Sequence, residues 1–417
     1  MSPPHIVVRG ATTAISRRTT FRKAFLAPWD PMVRDIWLYS LADAARQTNT
    51  DVHMSTLVVN HHHTTATPNE DNFPEFLRRL HRDASRGINA LLREVGYDVP
   101  HHVFDKRPTH RMRLLDGEAQ VSQLIHDFLN PVSSGLVAKP TDMPGGPLIE
   151  FGHWKGEGFV IKRPPMGFSK ERPSEVLLSP KIMPVLLADF DGDLDKAIFE
   201  MRRLCRGVKQ SMARARPFPP LGARRLRQLH PFDEPNSPAE ETGPIIPSFR
   251  IGARGLVGSE RYRRAATEVA TFRRCHRQRR LERRRGETPS FPHGTYELRV
   301  RHGVPVDPPL PDALVAAPGP LLHEVEAEFA SGKREPTGRR ETLTAEVADA
   351  WTEAASAVVA TEATDLDFRA LRTPEAEGAS DTDDPTPRPR RLRSGSRRLV
   401  PLLRVKRRRS KGKGPPR

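Results

Sequence analysis

Three consecutive histidines, His61, His62 and His63, close an apolar run in Val58-Val59-Asn60-His61-His62-His63-Thr64-Thr65. Extended backbone sends alternate side chains to opposite faces, so His61 and His63 project together while His62 turns the other way. Two imidazoles side by side make half of a divalent-cation site. Their neutral nitrogens suit Mg, Mn or Zn when oxygen ligands complete the shell. The same residues also fit a histidine-rich turn that holds no ion. Spacing alone leaves both readings open, and the elements around the run have to decide.

Those elements are clearest over residues 1–144. Residues 5 to 16, HIVVRGATTAIS, are rich in Val, Ile and Thr and predict a strand. After Asp30-Pro31, the apolar positions Val33, Ile36, Trp37, Leu41 and Ala44 recur at helical spacing. VHMSTLVV, residues 52 to 59, returns to strand character, and the histidines follow. A second helix places Phe73, Phe76, Leu77, Leu80, Ala84, Ile88 and Leu91 on one stripe, with Asn72 available as its cap. HRMRLLD predicts another strand. A third helix then carries Val121, Leu124, Ile125 and Phe128 inward and has Pro131 at its end. With the histidine run as a strand the order is β-α-β-β-α-β-α, an α+β ferredoxin-like split βαβ domain whose antiparallel sheet has helices on one face.

The spacing of motifs in this region resembles the single-tyrosine HUH transposases, in particular the REP-associated tyrosine transposase branch with long C-terminal extensions. The matching features are RGATTAISRRTTFRKAFLAP, the VVNHHHTTATP that stands where the family has Asn-His-x-His, the helix FPEFLRRLHRDASRGINALL, and FLNPVSSGLV, similar to the family's Asn-Pro-Val-x-x-Gly-Leu-Val. FPHGTYELRVRHGV is similar to a motif of the extended members. The resemblance implies DNA transposition by strand cleavage and joining on single-stranded or hairpin DNA. A divalent metal, Mg or Mn, held by His61 and His63 would polarise the scissile phosphate, and a tyrosine would attack phosphorus. His62 falls where the family has a bulky apolar residue, so it must find a partner or reach solvent. The tyrosine's position, four residues before Asn130, is taken by His126, and the i, i+4 spacing puts both on one helix face. From there the Asn130 amide can complete the metal shell. His126 is open to three readings: a surrogate nucleophile, an extra metal ligand, or a substitution in a copy that has lost strand transfer. The runner-up to a transposase is therefore a catalytically inactive, transposase-derived DNA-binding protein. Family relatives include monomers and dimers, so a homodimer stays open.

Composition points the same way. The 417 residues carry 68 Lys and Arg against 51 Asp and Glu, a net charge of +17, which favours a polyanionic partner. Much of the excess lies in a predicted Arg-rich helix bearing Arg273, Arg274, Arg277, Arg279, Arg280, Arg283, Arg284 and Arg285, candidates for phosphate contacts. With 41 prolines and only 36% hydrophobic residues, part of the chain is expected to be weakly ordered. Residues 145–332 read as a basic, mainly helical extension with Pro-rich linkers, and 333–417 as a disordered acidic-then-basic tail. Two cysteines build no disulfide framework, and no run approaches the roughly 18 apolar residues of a membrane span. The expected setting is cytoplasmic, with the nucleoid. Asp189, Asp191, Asp193, Asp195 and Glu200 mimic calcium-loop spacing, yet Leu194 occupies the glycine position, so helix capping is the simpler role. A phosphate-binding Gly-rich loop and a Gly-x-Ser-x-Gly elbow are both missing from the sequence.

Overall fold

Four strands and three helices of the computed structural model, which describes residues 4–216, 218–235, 248–252 and 260–308, reproduce the predicted alternation. They are β1 (Thr13–Arg18), α1 (Met32–Thr48), β2 (Thr50–Leu57), β3 (His61–Pro68), α2 (Phe73–Val95), β4 (His110–Leu114) and α3 (Gly117–Ser133). The strands lie in the order β2-β3-β1-β4 with every neighbour antiparallel, the ferredoxin-like split βαβ topology. The first strand begins later than residue 5. Gly10 takes a positive φ of 75° and turns the chain, while the Val7 amide donates to the Gly294 carbonyl at 3.1 Å instead of joining the sheet.

The chain then adds β5 (Phe159–Lys162), β6 (Glu175–Leu178), α4 (Pro184–Asp189), α5 (Leu194–Ala215), α6 (Ala223–Arg227), β7 (Phe249–Arg250), α7 (Glu260–Arg284) and α8 (Glu297–His302). The extension is mainly helical, as expected, but it also contributes a β5–β6 hairpin and a fifth sheet strand, β7, parallel to β4. Residues 309–417, including the tail expected to be disordered, lie outside the described residues.

Packing explains departures from simple amphipathic patterning. α1 and α2 cover one sheet face, burying the predicted stripes, yet Leu38, Tyr39 and Ala42 of α1 are buried too. The β5–β6 hairpin lies against α1, and its Ile161, Val176 and Leu178 join the same core. Gly87 of α2 allows close approach, since a Cβ there would meet Ile36 Cγ2 at 2.4 Å. α3 takes the opposite sheet face. Its Val121, Leu124 and Ile125 are buried in a second core shared with Ile198 and Met201 of α5, so they face the extension, while another stripe of α3 faces the sheet.

Helix ends follow local chemistry. Asp116 caps α3, its Oδ1 accepting from the Ala119 amide at 2.7 Å. Asn72 occupies the N-cap position of α2 but makes no side-chain cap bond. Asp193 caps α5 by accepting from the Lys196 amide at 2.9 Å, the capping role expected of that acidic run.

Candidate metal centre

Alternation along β3 divides the three histidines between the two sheet faces. His61 and His63 stand under α3 with ring centroids 4.9 Å apart, and His63 is 4.9 Å from the His126 ring. The Asn130 Nδ2 amide lies 3.3 Å from His63 Nε2 and can donate to it. The structure thus brings His61, His63, His126 and Asn130 to one place.

At the centre is a residue that the motif comparison passed over, Asp127. Its Oδ1 accepts from Gln123 Nε2 at 2.7 Å and lies 3.2 Å from His126 Nδ1 and 3.5 Å from His63 Nδ1. The second oxygen accepts from the Thr65 hydroxyl at 2.8 Å. One ligand atom each from His63, His126 and Asp127 lie within 4.8 Å of one another, a two-imidazole, one-carboxylate set that suits a divalent cation. His61 lies beside this set, with Nδ1 2.9 Å from Asn60 Oδ1. The signal for Asp127 was present in the sequence. Gln123, His126, Asp127 and Asn130 follow i, i+3, i+4, i+7 spacing, one polar stripe on a helix whose other stripe is apolar.

The centre is enclosed. His63 and His126 are each 3% exposed and Asp127 1%. Arg250 of β7 closes the α3 side, bonding Gln123 Oε1 at 3.3 Å and Ser122 Oγ at 2.8 Å. Burial lowers the affinity of its guanidinium for a proton, opposed by the carboxylates of Asp127, Asp116 and Glu118.

On the other face His62 finds the partners its burial demands. The His81 ring N–H bonds the Leu77 carbonyl, which leaves His81 Nε2 to accept, so His62 Nε2 donates to it at 2.9 Å. His62 Nδ1 then accepts from the Thr64 hydroxyl at 3.2 Å; Thr64 Oγ1 lies 3.1 Å from Ser55 Oγ, and Ser55 accepts from the Trp37 indole at 3.1 Å. Each group in this relay is satisfied with both rings neutral. Burial, followed by nearby positive charge, holds both imidazoles well below the ordinary histidine range.

All four tyrosines of the chain are described, and each packs elsewhere. Tyr39 donates to the Pro173 carbonyl at 2.7 Å, Tyr97 packs among Trp29, His230 and Phe232, and the Tyr296 ring faces the Arg299 guanidinium. Tyr262 packs on Phe249, which alternates with Arg250 and so projects from the opposite sheet face.

α7 seats itself through Ala265, Val269, Phe272 and His276. Arg274, Arg277, Arg279, Arg283, Arg284 and Arg285 are exposed, Arg280 is half-buried, and Arg273 reaches into a recess beside β4. Arg279 bonds Glu282 at 2.8 Å. Among the described residues no helix is long and apolar enough to cross a membrane.

Fold and site together define an α+β domain with a buried histidine–aspartate cluster between sheet and helix. Neither a family model nor a curated protein matches the chain. Among solved structures, it is similar to that of a REP-associated tyrosine transposase bound to a REP hairpin, with 14% identity, a TM-score of 0.26, and coverage of 32% of this chain and 74% of that one.

Proposed function

We propose that this is a transposase-like DNA-binding protein in which the position of the attacking tyrosine has become part of a metal centre. One observation carries the reading: His126 is turned onto Asp127 beside His63, beneath the sheet, instead of standing exposed as an attacking group. His63, His126 and Asp127 would hold the ion, with Gln123 orienting Asp127 from outside the set. Two imidazoles favour Mn or Zn over Mg, which prefers an all-oxygen shell. When bound, such an ion acts as a Lewis acid toward phosphate oxygens. The exposed arginines of α7 supply sequence-independent contacts to single-stranded or hairpin DNA.

The second reading, strand cleavage with His126 as the surrogate nucleophile, is favoured by its place four residues before Asn130. Incubation of the full chain with end-labelled hairpin DNA and Mn or Mg, followed by denaturing electrophoresis, separates the two. Retarded DNA is expected in a parallel native gel, with uncleaved DNA and no labelled protein in the denaturing one. A protein-linked product abolished in His126→Ala would replace the proposal with the second reading. Absence of DNA binding at low salt would remove both.

A further inference from the structure

The sheet face opposite the metal centre carries a second concentration of unusual chemistry. Arg111 and Arg113 alternate with Met112 along β4 and pair across the sheet with Ile15 and Thr13, so both guanidinium stems leave on the α1–α2 face. There, β4, the segment around His5 and α7 line a narrow, open recess. Its polar lining is His5, Thr13, Arg111, Arg113, Ser248 and Arg273, set among apolar side chains such as Val8, Phe73 and Val269.

The described lining of this recess is rich in positive charge. Arg113 is 6% exposed and paired with Glu268 of α7 at 2.6 Å. Burial brings the Arg111 guanidinium down to about 10, partly offset by the Glu297 carboxylate. Arg273 Nε is buried without a hydrogen-bond partner among the described residues. His5 is pushed down to about 3 by burial and then by Arg111, Arg273 and His110, so it is neutral and adds no positive charge of its own. Three guanidiniums thus line one recess, and the buried Arg273 Nε–H has no acceptor among the described residues. Folding a surplus of positive charge into a recess is costly unless an anion completes it.

We infer that this recess is a binding site for a phosphoryl group, gripped by the Arg111 and Arg273 guanidiniums with His5 and Ser248 as further polar contacts. Forked guanidiniums arriving from a strand and a helix match an anion with three outward oxygens better than a planar carboxylate with two. Such a group is presented by the terminal phosphate of a nucleic-acid strand or by free inorganic phosphate. The inference goes beyond the metal centre and does not depend on it, because the two lie on opposite faces of the sheet.

The test is calorimetric titration of the full-length protein with inorganic phosphate, and with a short single-stranded oligonucleotide ending in a 5′-phosphate or a 5′-hydroxyl. Arg273→Gln and Arg111→Lys are compared with the parent; the lysine keeps the charge but removes the fork, and Arg273→Gln, at a half-exposed position, serves should Arg111→Lys fail to fold. Each variant with an unchanged melting temperature is expected to weaken phosphoryl binding by about tenfold or more, the worth of a charge-assisted hydrogen bond. A preference for the 5′-phosphorylated strand that vanishes in the variants assigns the recess to strand ends. Phosphate binding that weakens in the variants without any preference between strands assigns it to the free anion. Failure to bind any probe, or binding that both folded variants leave unchanged, overturns the inference.

Discussion

His62 shows how one buried polar side chain dictates its surroundings. Placed on the apolar face between Trp37, His81 and Phe104, with no exposure, it survives because Thr64 and His81 satisfy both ring nitrogens. The relay has a fixed direction, since His81 spends its one N–H on Leu77. His62→Leu would therefore leave His81 Nε2 buried with no donor, and we expect a loss of about 2 kcal/mol in urea unfolding. Replacing both rings by leucine removes the orphan along with its partner, so His62→Leu/His81→Leu should be less destabilised than the sum of the single variants by about 1–2 kcal/mol. Additive losses would show that the two rings do not communicate. At the metal centre the same logic runs through Asp127, whose two oxygens collect Gln123, His126, His63 and Thr65.

Between elements, the extension behaves as a clamp on the ferredoxin-like helices. Arg172, in the segment between β5 and β6, reaches Asp83 of α2 at 2.8 Å and Asp43 of α1 at 3.3 Å, both carboxylates being essentially inaccessible. Burial alone would raise the Asp83 carboxyl, but bonds from Arg82 and Arg172 outweigh it and hold the group below the usual carboxylate range. Arg172→Ala should cost about 1–3 kcal/mol, less than breaking an isolated buried pair, because Arg82 still serves Asp83 and Arg46 and Gln47 still serve Asp43. Denaturant midpoints check this, and an unchanged midpoint would remove the clamp. The elements most legible in the sequence were those with a single exposed face. The α2 stripe from Phe73 to Leu91 is buried position by position. α1 and α3 are buried on two sides, so their periodicity reported only part of their contacts; on α3 the apolar stripe faces α5 and the polar stripe, with Asp127, faces the sheet. The β5–β6 hairpin escaped notice because FVIK and EVLL are four-residue runs separated by a long Pro- and Arg-containing segment. Nothing in such short runs distinguishes a strand from a loop until α1 supplies the surface they pack on.

For the whole molecule, proton and counterion linkage report how the parts are joined. His53 of β2 ties the sheet to the extension: Nδ1 donates to the Lys181 carbonyl at 2.7 Å and Nε2 accepts from Thr67 at 2.7 Å. Burial, partly offset by the Lys181 carbonyl and Asp51, brings this histidine from 6.5 down to about 4. A depressed histidine is protonated in the unfolded chain first, so its contribution is intact above 6.5, declines as the pH falls, and is fully lost below about 4. The total is about 3 kcal/mol, and urea midpoints of His53→Gln between those limits should fall less steeply than the parent's; parallel profiles would contradict it. Counterions probe the opposite surface. With the net charge at +17, some DNA affinity is generic, but the exposed face of α7 should contribute a countable share. Replacing Arg274, Arg277, Arg283 and Arg284 by Gln removes up to four phosphate contacts, each worth about 0.7 in the slope of log affinity against log salt for a single strand. The quadruple variant should therefore lose about 2–3 units of slope. Arg279→Gln should change it least, because Glu282 already neutralises that guanidinium. Equal slopes for parent and quadruple variant would move the DNA-binding surface off α7 and leave the charge there as a solvated face.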